Sequence, residues 1–133
     1  NAARQSLLTT RTYAGADWRA AHLAAEDGEL FRLVEDAKAK MPATPARVFV
    51  LADAPYFRAR SAYYLYPHNA WFDLYRDVAP EPGKLRPGDY VFAFRRRGLQ
   101  YSPTAGLVRW DGGPELAAEV VMTGGEGALF RLK

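Results

Sequence analysis

Residues Arg47–Asp73 read RVFVLADAPYFRARSAYYLYPHNAWFD, and this stretch decides the fold. Arg47–Ala52 is a short apolar run rich in β-branched and aromatic residues, without polar alternation. Such a run is a strand buried on both faces, which places it centrally in a sheet with parallel neighbours. Asp53-Ala54-Pro55 then opens a helix, with Asp53 as its cap and Pro55 in its first turn. That helix runs to about Tyr64, Pro67 ends it, and Asn69–Asp73 forms the next strand. Strand, helix, strand in this order is a βαβ unit, for which a right-handed crossover is expected.

Upstream, Leu30, Leu33, Val34, Ala37 and Met41 recur at spacings of three and four, so Glu29–Met41 reads as an amphipathic helix stopped by Pro42. Asp27 is positioned to cap it, Gly28 to separate it from a shorter helix over Asp17–Ala25, and Lys38 and Lys40 suit its carboxyl end. Residues 1–16 read as a lead-in. Val48, Val50 and Leu51 are expected to be almost fully buried with this helix packed on them.

Downstream, residues 76–88 hold three Pro and two Gly and form a surface loop. Asp89–Phe94 is a further strand, Arg95–Gly98 a turn, and Leu107–Trp110 a weaker strand. Asp111–Pro114 is another turn. Glu115–Met122 and Ala128–Leu132 read as a hairpin joined by Thr123–Gly127. The predicted architecture is a single α/β domain over residues 1–133. It is a sandwich whose mixed sheet is parallel in its first half and antiparallel in its C-terminal strands, with helices packed on it.

Composition narrows the function. The 133 residues are 49% hydrophobic and 25% charged, an ordinary globular balance. The longest uncharged run, Ser61–Phe72, is too short for a membrane-spanning helix, which takes about 20 residues. A net charge of +3 is spread over both halves, so nucleic acid is not an expected partner. Cysteine is absent, which removes disulfide frameworks, thiolate metal sites and Cys nucleophiles. Arg outnumbers Lys 14 to 4, a bias that fits a GC-rich bacterial genome. The chain starts Asn1-Ala2, without a signal sequence, and this start reads as a tag remnant on a domain excised from a larger protein.

Four constellations carry chemistry. Eight of the 18 aromatic residues fall within Tyr56–Tyr75. Their plain role is core packing with hydroxyls at the rim; their functional role is stacking on a ligand, with Arg58 and Arg60 pairing to phosphate. On that second reading the ligand-binding set is Arg58, Arg60, Tyr64, Tyr66 and His68. Asp53 follows a buried strand, where open α/β sheets place ligands, but a helix cap is its simpler role. No Gly-rich loop adjoins it, which argues against a nucleotide cofactor, and no other cofactor is expected. His22 and His68 belong to no spaced metal motif, and no Ser sits in a nucleophile elbow. Arg95-Arg96-Arg97 is a solvated turn or, functionally, a phosphate or headgroup contact. No catalytic residue is therefore expected in this chain.

The Arg47–Asp73 string also resembles the soluble C-terminal segment that follows the last membrane span in some bacterial multi-pass proteins, which resemble glycosyltransferases using lipid-linked sugar donors. The shared features are the Val-rich strand, the short Arg-bearing helix and the Tyr-Tyr-Leu-Tyr-Pro turn into a second strand. In that family the catalytic acid lies near the first membrane spans, so no catalytic residue carries over. The resemblance implies a non-catalytic accessory domain on the extracytoplasmic, periplasmic side of the cell membrane. Its partners would be the membrane-embedded part of the same parent chain and a glycan or anionic lipid headgroup. The alternatives are a stand-alone α/β enzyme with Asp53 and His68 near the sheet's carboxyl edge, and a protein-interaction module using the aromatic turn.

Overall fold

The computed structural model describes residues 14–76, 80–110 and 115–133, with side chains from residue 24 onward except that of Pro82. A seven-stranded mixed sheet is its centre, in the order β2-β1-β3-β7-β6-β5-β4. Strand β1, Arg47–Ala52, is paired in parallel on both sides. Its neighbours are β2, Asn69–Trp71, and β3, Tyr90–Phe94. With hydrogen bonds on both edges and apolar layers on both faces, β1 needs no polar side, and Val48 to Ala52 are all buried. From β3 onward the pairing is antiparallel, through β7 (Gly127–Leu132), β6 (Leu116–Gly124), β5 (Leu107–Trp110) and β4 (Leu99–Ser102). The mixed α/β sheet expected from the sequence is the one observed.

Two helices lie on one face. Helix α1 spans Ala14–Ala39 and runs through Gly28, where a break was expected. A lone glycine costs a helix only about 1 kcal/mol relative to alanine. The burial of Leu30, Leu33, Val34 and Ala37 immediately after it outweighs that. Asp27 is consequently a mid-helix residue and not a cap. Helix α2 spans Pro55–Tyr64, as expected, but its N-cap is Ala54 in extended conformation, with no side-chain capping bond. Asp53 stands one residue too early to cap and is exposed. Pro55 fills the first turn, where its missing N–H costs nothing.

Strand alternation divides the core in two. Val48, Val50 and Ala52 join Leu30, Val34, Phe57 and Phe92 beneath the helices. Phe49 and Leu51 face the other side with Val91, Val108, Trp110 and Phe130. Leu51 is as buried as expected, yet it points away from α1, because successive residues of a strand face opposite ways. This second core is closed by the sheet itself. Val108 and Trp110 of β5 reach the cluster of β1 although β3, β7 and β6 intervene, and the Tyr101 ring of β4 lies 5.4 Å from Phe130. The sheet therefore curls over its own lower face. A register shift between Val120 and Met122 on β6 supplies local bending.

The remaining differences are at element ends. Strand β2 stops at Trp71, not Asp73, because Asp73 Oδ1 accepts the backbone N–H groups of Tyr75 and Arg76 (both 3.0 Å) and turns the chain out of the sheet. Leu99–Ser102, only weakly patterned, is a strand paired to β5. The β6–β7 turn is just Gly125-Glu126, with Gly125 at φ 53°, so both strands are longer than their sequence limits. Gly127 is required for close packing: a Cβ there would stand 3.0 Å from Leu33 Cδ1 and 3.3 Å from the Ala93 carbonyl oxygen. The expected Asp111–Pro114 turn and most of the lead-in lie outside the described residues.

Candidate functional site

The five residues expected to bind ligand are not brought together as one surface. Arg58 is 3% exposed and points inward. Its Nη1 donates to the Ala52 carbonyl at 2.7 Å and its Nη2 to the Leu74 carbonyl at 3.1 Å, tying the end of β1 to the chain leaving β2. His68, 8% exposed, accepts the Ala46 backbone N–H on Nδ1 at 3.0 Å. Burial holds its pKa below the ordinary histidine value, and the positive charge of Lys38 adds to the effect. Both side chains are turned onto the backbone, away from the expected surface, and the reason is the same. Each is next to backbone polar atoms that the fold buries and that need a partner.

Arg60 and Tyr64 do meet, but in a clasp between the helices. Tyr64 Oη donates to Asp27 Oδ2 at 2.5 Å, and Tyr56 Oη donates to Asp27 Oδ1 at 3.2 Å. Arg60 donates from Nε to Asp27 Oδ1 at 3.3 Å and from Nη2 to the Tyr64 hydroxyl at 3.1 Å. The guanidinium also lies 5.1 to 5.9 Å from the ring centroids of Tyr64, Tyr63 and Tyr56. Burial works to raise the Asp27 pKa, but the Tyr64 and Arg60 hydrogen bonds outweigh it and hold the carboxyl below its ordinary value. The same bond to Asp27 pushes the Tyr64 hydroxyl up. Of the expected set Tyr66, 76% exposed, stands furthest into solvent, and the Arg60 side chain is partly exposed.

Asp53 and His68 are separated as well. Asp53 follows the carboxyl end of β1, and His68 precedes the amino end of β2. Parallel pairing puts these at opposite ends of the sheet, so the two do not form an acid–base pair. Of the three consecutive arginines, Arg95 is drawn into a latch. At φ 53° its guanidinium pairs with Glu126, with Glu26 at 3.1 Å and with Glu29 at 3.7 Å, over the rings of Phe94 and Phe57. Among the described residues no group of three or more His, Asp or Glu is placed to hold a metal ion, and no helix is long and apolar enough to cross a membrane.

A groove at the β2 edge is the site that residue-by-residue reading missed. Trp71 pairs in register with Phe49, so both lie on the sheet face away from the helices. Phe49 is covered by the core, while Trp71, on the outermost strand, remains 53% exposed. Beside them a short 3-10 turn, Pro82–Lys84, is fastened by Arg47, whose Nη2 donates to the Lys84 carbonyl at 2.9 Å. Two adjoining hollows result, of about 300 and 350 Å³, which share Phe49, Trp71 and Lys84. Phe72, Asp73 and Arg76 border the first, and Arg47 and Arg86 the second.

The groove's charge is unevenly spent. Arg47 Nη2 stands 3.6 Å from Asp89, and Arg76 Nε 3.5 Å from Asp73. Backbone donation from Arg76, foremost, holds Asp73 below the usual carboxylate range and keeps it anionic. Lys84 and Arg86 form no ion pair among the described residues. Glu81 also lines the first hollow. An exposed indole beside cations that form no ion pair can stack on a sugar ring or cover apolar chain while the cations bind phosphate. The sequence signal was present in Asn69–Asp73 and in Lys84 and Arg86, but nothing local shows that the edge strand and the Pro-rich loop lie side by side.

Comparison with protein-family models, with curated proteins and with solved structures finds no significant match to this chain in any of the three.

Proposed function

We propose that this chain is a non-catalytic, extracytoplasmic accessory domain of a bacterial membrane protein, and that the Trp71 groove holds a phosphate-bearing glycan or polar-lipid headgroup. The membrane-embedded part of the same parent chain would be its working partner. The observation that carries the reading is the pair of hollows around Trp71, lined by an exposed indole and by Lys84 and Arg86, cations without an ion pair among the described residues. The resemblance of Arg47–Asp73 to the soluble segments of lipid-linked-sugar glycosyltransferases supports the same class of ligand. The site moves from the α2 surface to the sheet edge, because Arg58 and His68 serve the backbone and Arg60 and Tyr64 serve the helix clasp.

Titration of the 15N-labelled chain with N-acetylglucosamine 1-phosphate at low salt tests the binding step. The Trp71 indole N–H signal is expected to shift, and Lys84→Ala with Arg86→Ala to weaken the shift by several-fold without changing the rest of the spectrum. No shift at Trp71, or an equal response in the double variant, would sink the reading.

A further inference from the structure

The chain from Tyr66 to Tyr75 follows the open edge of the sheet and is unusually apolar for a surface. Eight large hydrophobic residues are exposed among those described, and Tyr66, Trp71, Phe72, Leu74 and Tyr75 are five of them. Tyr75 is 88% exposed, so its ring contributes nothing to the core. Trp and Tyr flanking apolar residues favour the boundary between water and hydrocarbon, where an amphipathic ring satisfies both phases.

Three backbone groups at this tip are satisfied by side chains from within the fold. Asp73 Oδ1 accepts the N–H groups of Tyr75 and Arg76, and the buried Arg58 donates to the Leu74 carbonyl. Groups paired in this way can leave water without being stranded, which otherwise costs several kcal/mol per group in hydrocarbon. Lys84 and Arg86 line the groove behind the tip, without carboxylate partners among the described residues.

From these observations we infer that the β2 edge docks on an anionic lipid bilayer, with Leu74 and Tyr75 entering the interface and Lys84 and Arg86 meeting lipid phosphates. The inference rests on the groove reading above and deepens it: the groove draws its phosphate from a membrane surface and not from solution. Apolar burial and cation–headgroup attraction act together, since neither a few side chains nor a few charges alone hold a domain on a membrane.

Vesicle flotation with phosphatidylcholine, with and without phosphatidylglycerol, tests this on the 133-residue chain. Binding is expected only with the anionic lipid and is expected to fall at high salt. Leu74→Ser with Tyr75→Ser removes a partly exposed and a fully exposed apolar side chain outside the buried core and is expected to weaken binding roughly tenfold or more. Lys84→Ala with Arg86→Ala is expected to weaken it about fivefold per cation. Brominated lipid is expected to quench tryptophan fluorescence in the unaltered chain and much less in Trp71→Phe. No flotation, flotation unchanged by Leu74→Ser with Tyr75→Ser, or quenching unchanged in Trp71→Phe overturns the docking. If sugar phosphate shifts Trp71 but vesicles do not bind, docking fails and the groove stands. If vesicles bind through the tip and sugar phosphate does nothing, docking stands and the soluble-ligand reading fails.

Discussion

Tyr64 donates its hydroxyl to Asp27 at 2.5 Å, joining the middle of α1 to the last turn of α2. The bond explains why a carboxylate positioned to begin a helix sits inside one instead. On the inner side of α1 it finds Tyr56, Arg60 and Tyr64 at one-turn spacings along α2, and three donors converge on its two oxygens.

The clasp makes stability depend on pH at both extremes. The Asp27 pKa is lowered in the folded state, so its contribution is present above the ordinary value of 3.8 and is lost as pH falls through the folded value. The Tyr64 pKa is raised, so its contribution is present below 10.0 and is lost as pH rises through the folded value. Tyr64→Phe is expected to cost about 1 kcal/mol at neutral pH. Urea melts across pH are expected to show the alkaline loss in the unaltered chain and its absence in Tyr64→Phe.

Gly28→Ala is expected to raise stability by about 0.5–1 kcal/mol. The glycine is inside α1, and a Cβ there meets nothing within 4 Å. The change therefore removes freedom from the unfolded chain without a steric cost. A higher urea midpoint with unchanged slope is the expected result, and a lower one would contradict the continuous helix.

His68 predicts a third, separable effect. Its pKa is lowered by burial and by Lys38, so the neutral ring is the form the fold prefers. That contribution is complete above the ordinary value of 6.5 and is lost as pH falls through the folded value. The unaltered chain is expected to weaken on mild acidification. His68→Asn, which can still accept the Ala46 N–H but cannot titrate, is expected to lose that step while keeping a cooperative melt. NMR titration of the ring carbons checks the direction of the shift.

Much of the fold was legible because it is written in local patterns. The unbroken apolar run Val48–Ala52 states burial on both faces, which marks β1 as an interior strand. Pro55 and Pro67 bracket α2 by steric necessity, and the spacing of Leu30, Leu33, Val34 and Ala37 marks the buried side of α1. What local patterns carry is propensity, and propensity differences of about 1 kcal/mol are overruled by packing. That is why Gly28 does not break α1, and why Leu99–Ser102, weakly patterned, becomes a strand once β5 offers it a ladder.

The site was decided by tertiary structure. In the sequence, Arg58 and Arg60 are two residues apart among tyrosines and look alike. In the fold, helical rotation turns Arg58 onto carbonyls at the end of β1 and Arg60 onto Asp27, 33 residues earlier in the chain. Trp71 gives no local sign of its exposure; it is open to solvent because β2 is the last strand of the sheet, a property of strand order. Lys84 and Arg86 are groove residues because the loop folds back against the sheet edge, where Arg47 holds the Lys84 carbonyl. Residue type and spacing determine which elements form and which faces they bury. Which polar groups are consumed by the backbone and which remain for a ligand depends on partners distant in sequence, and only the folded chain brings those together.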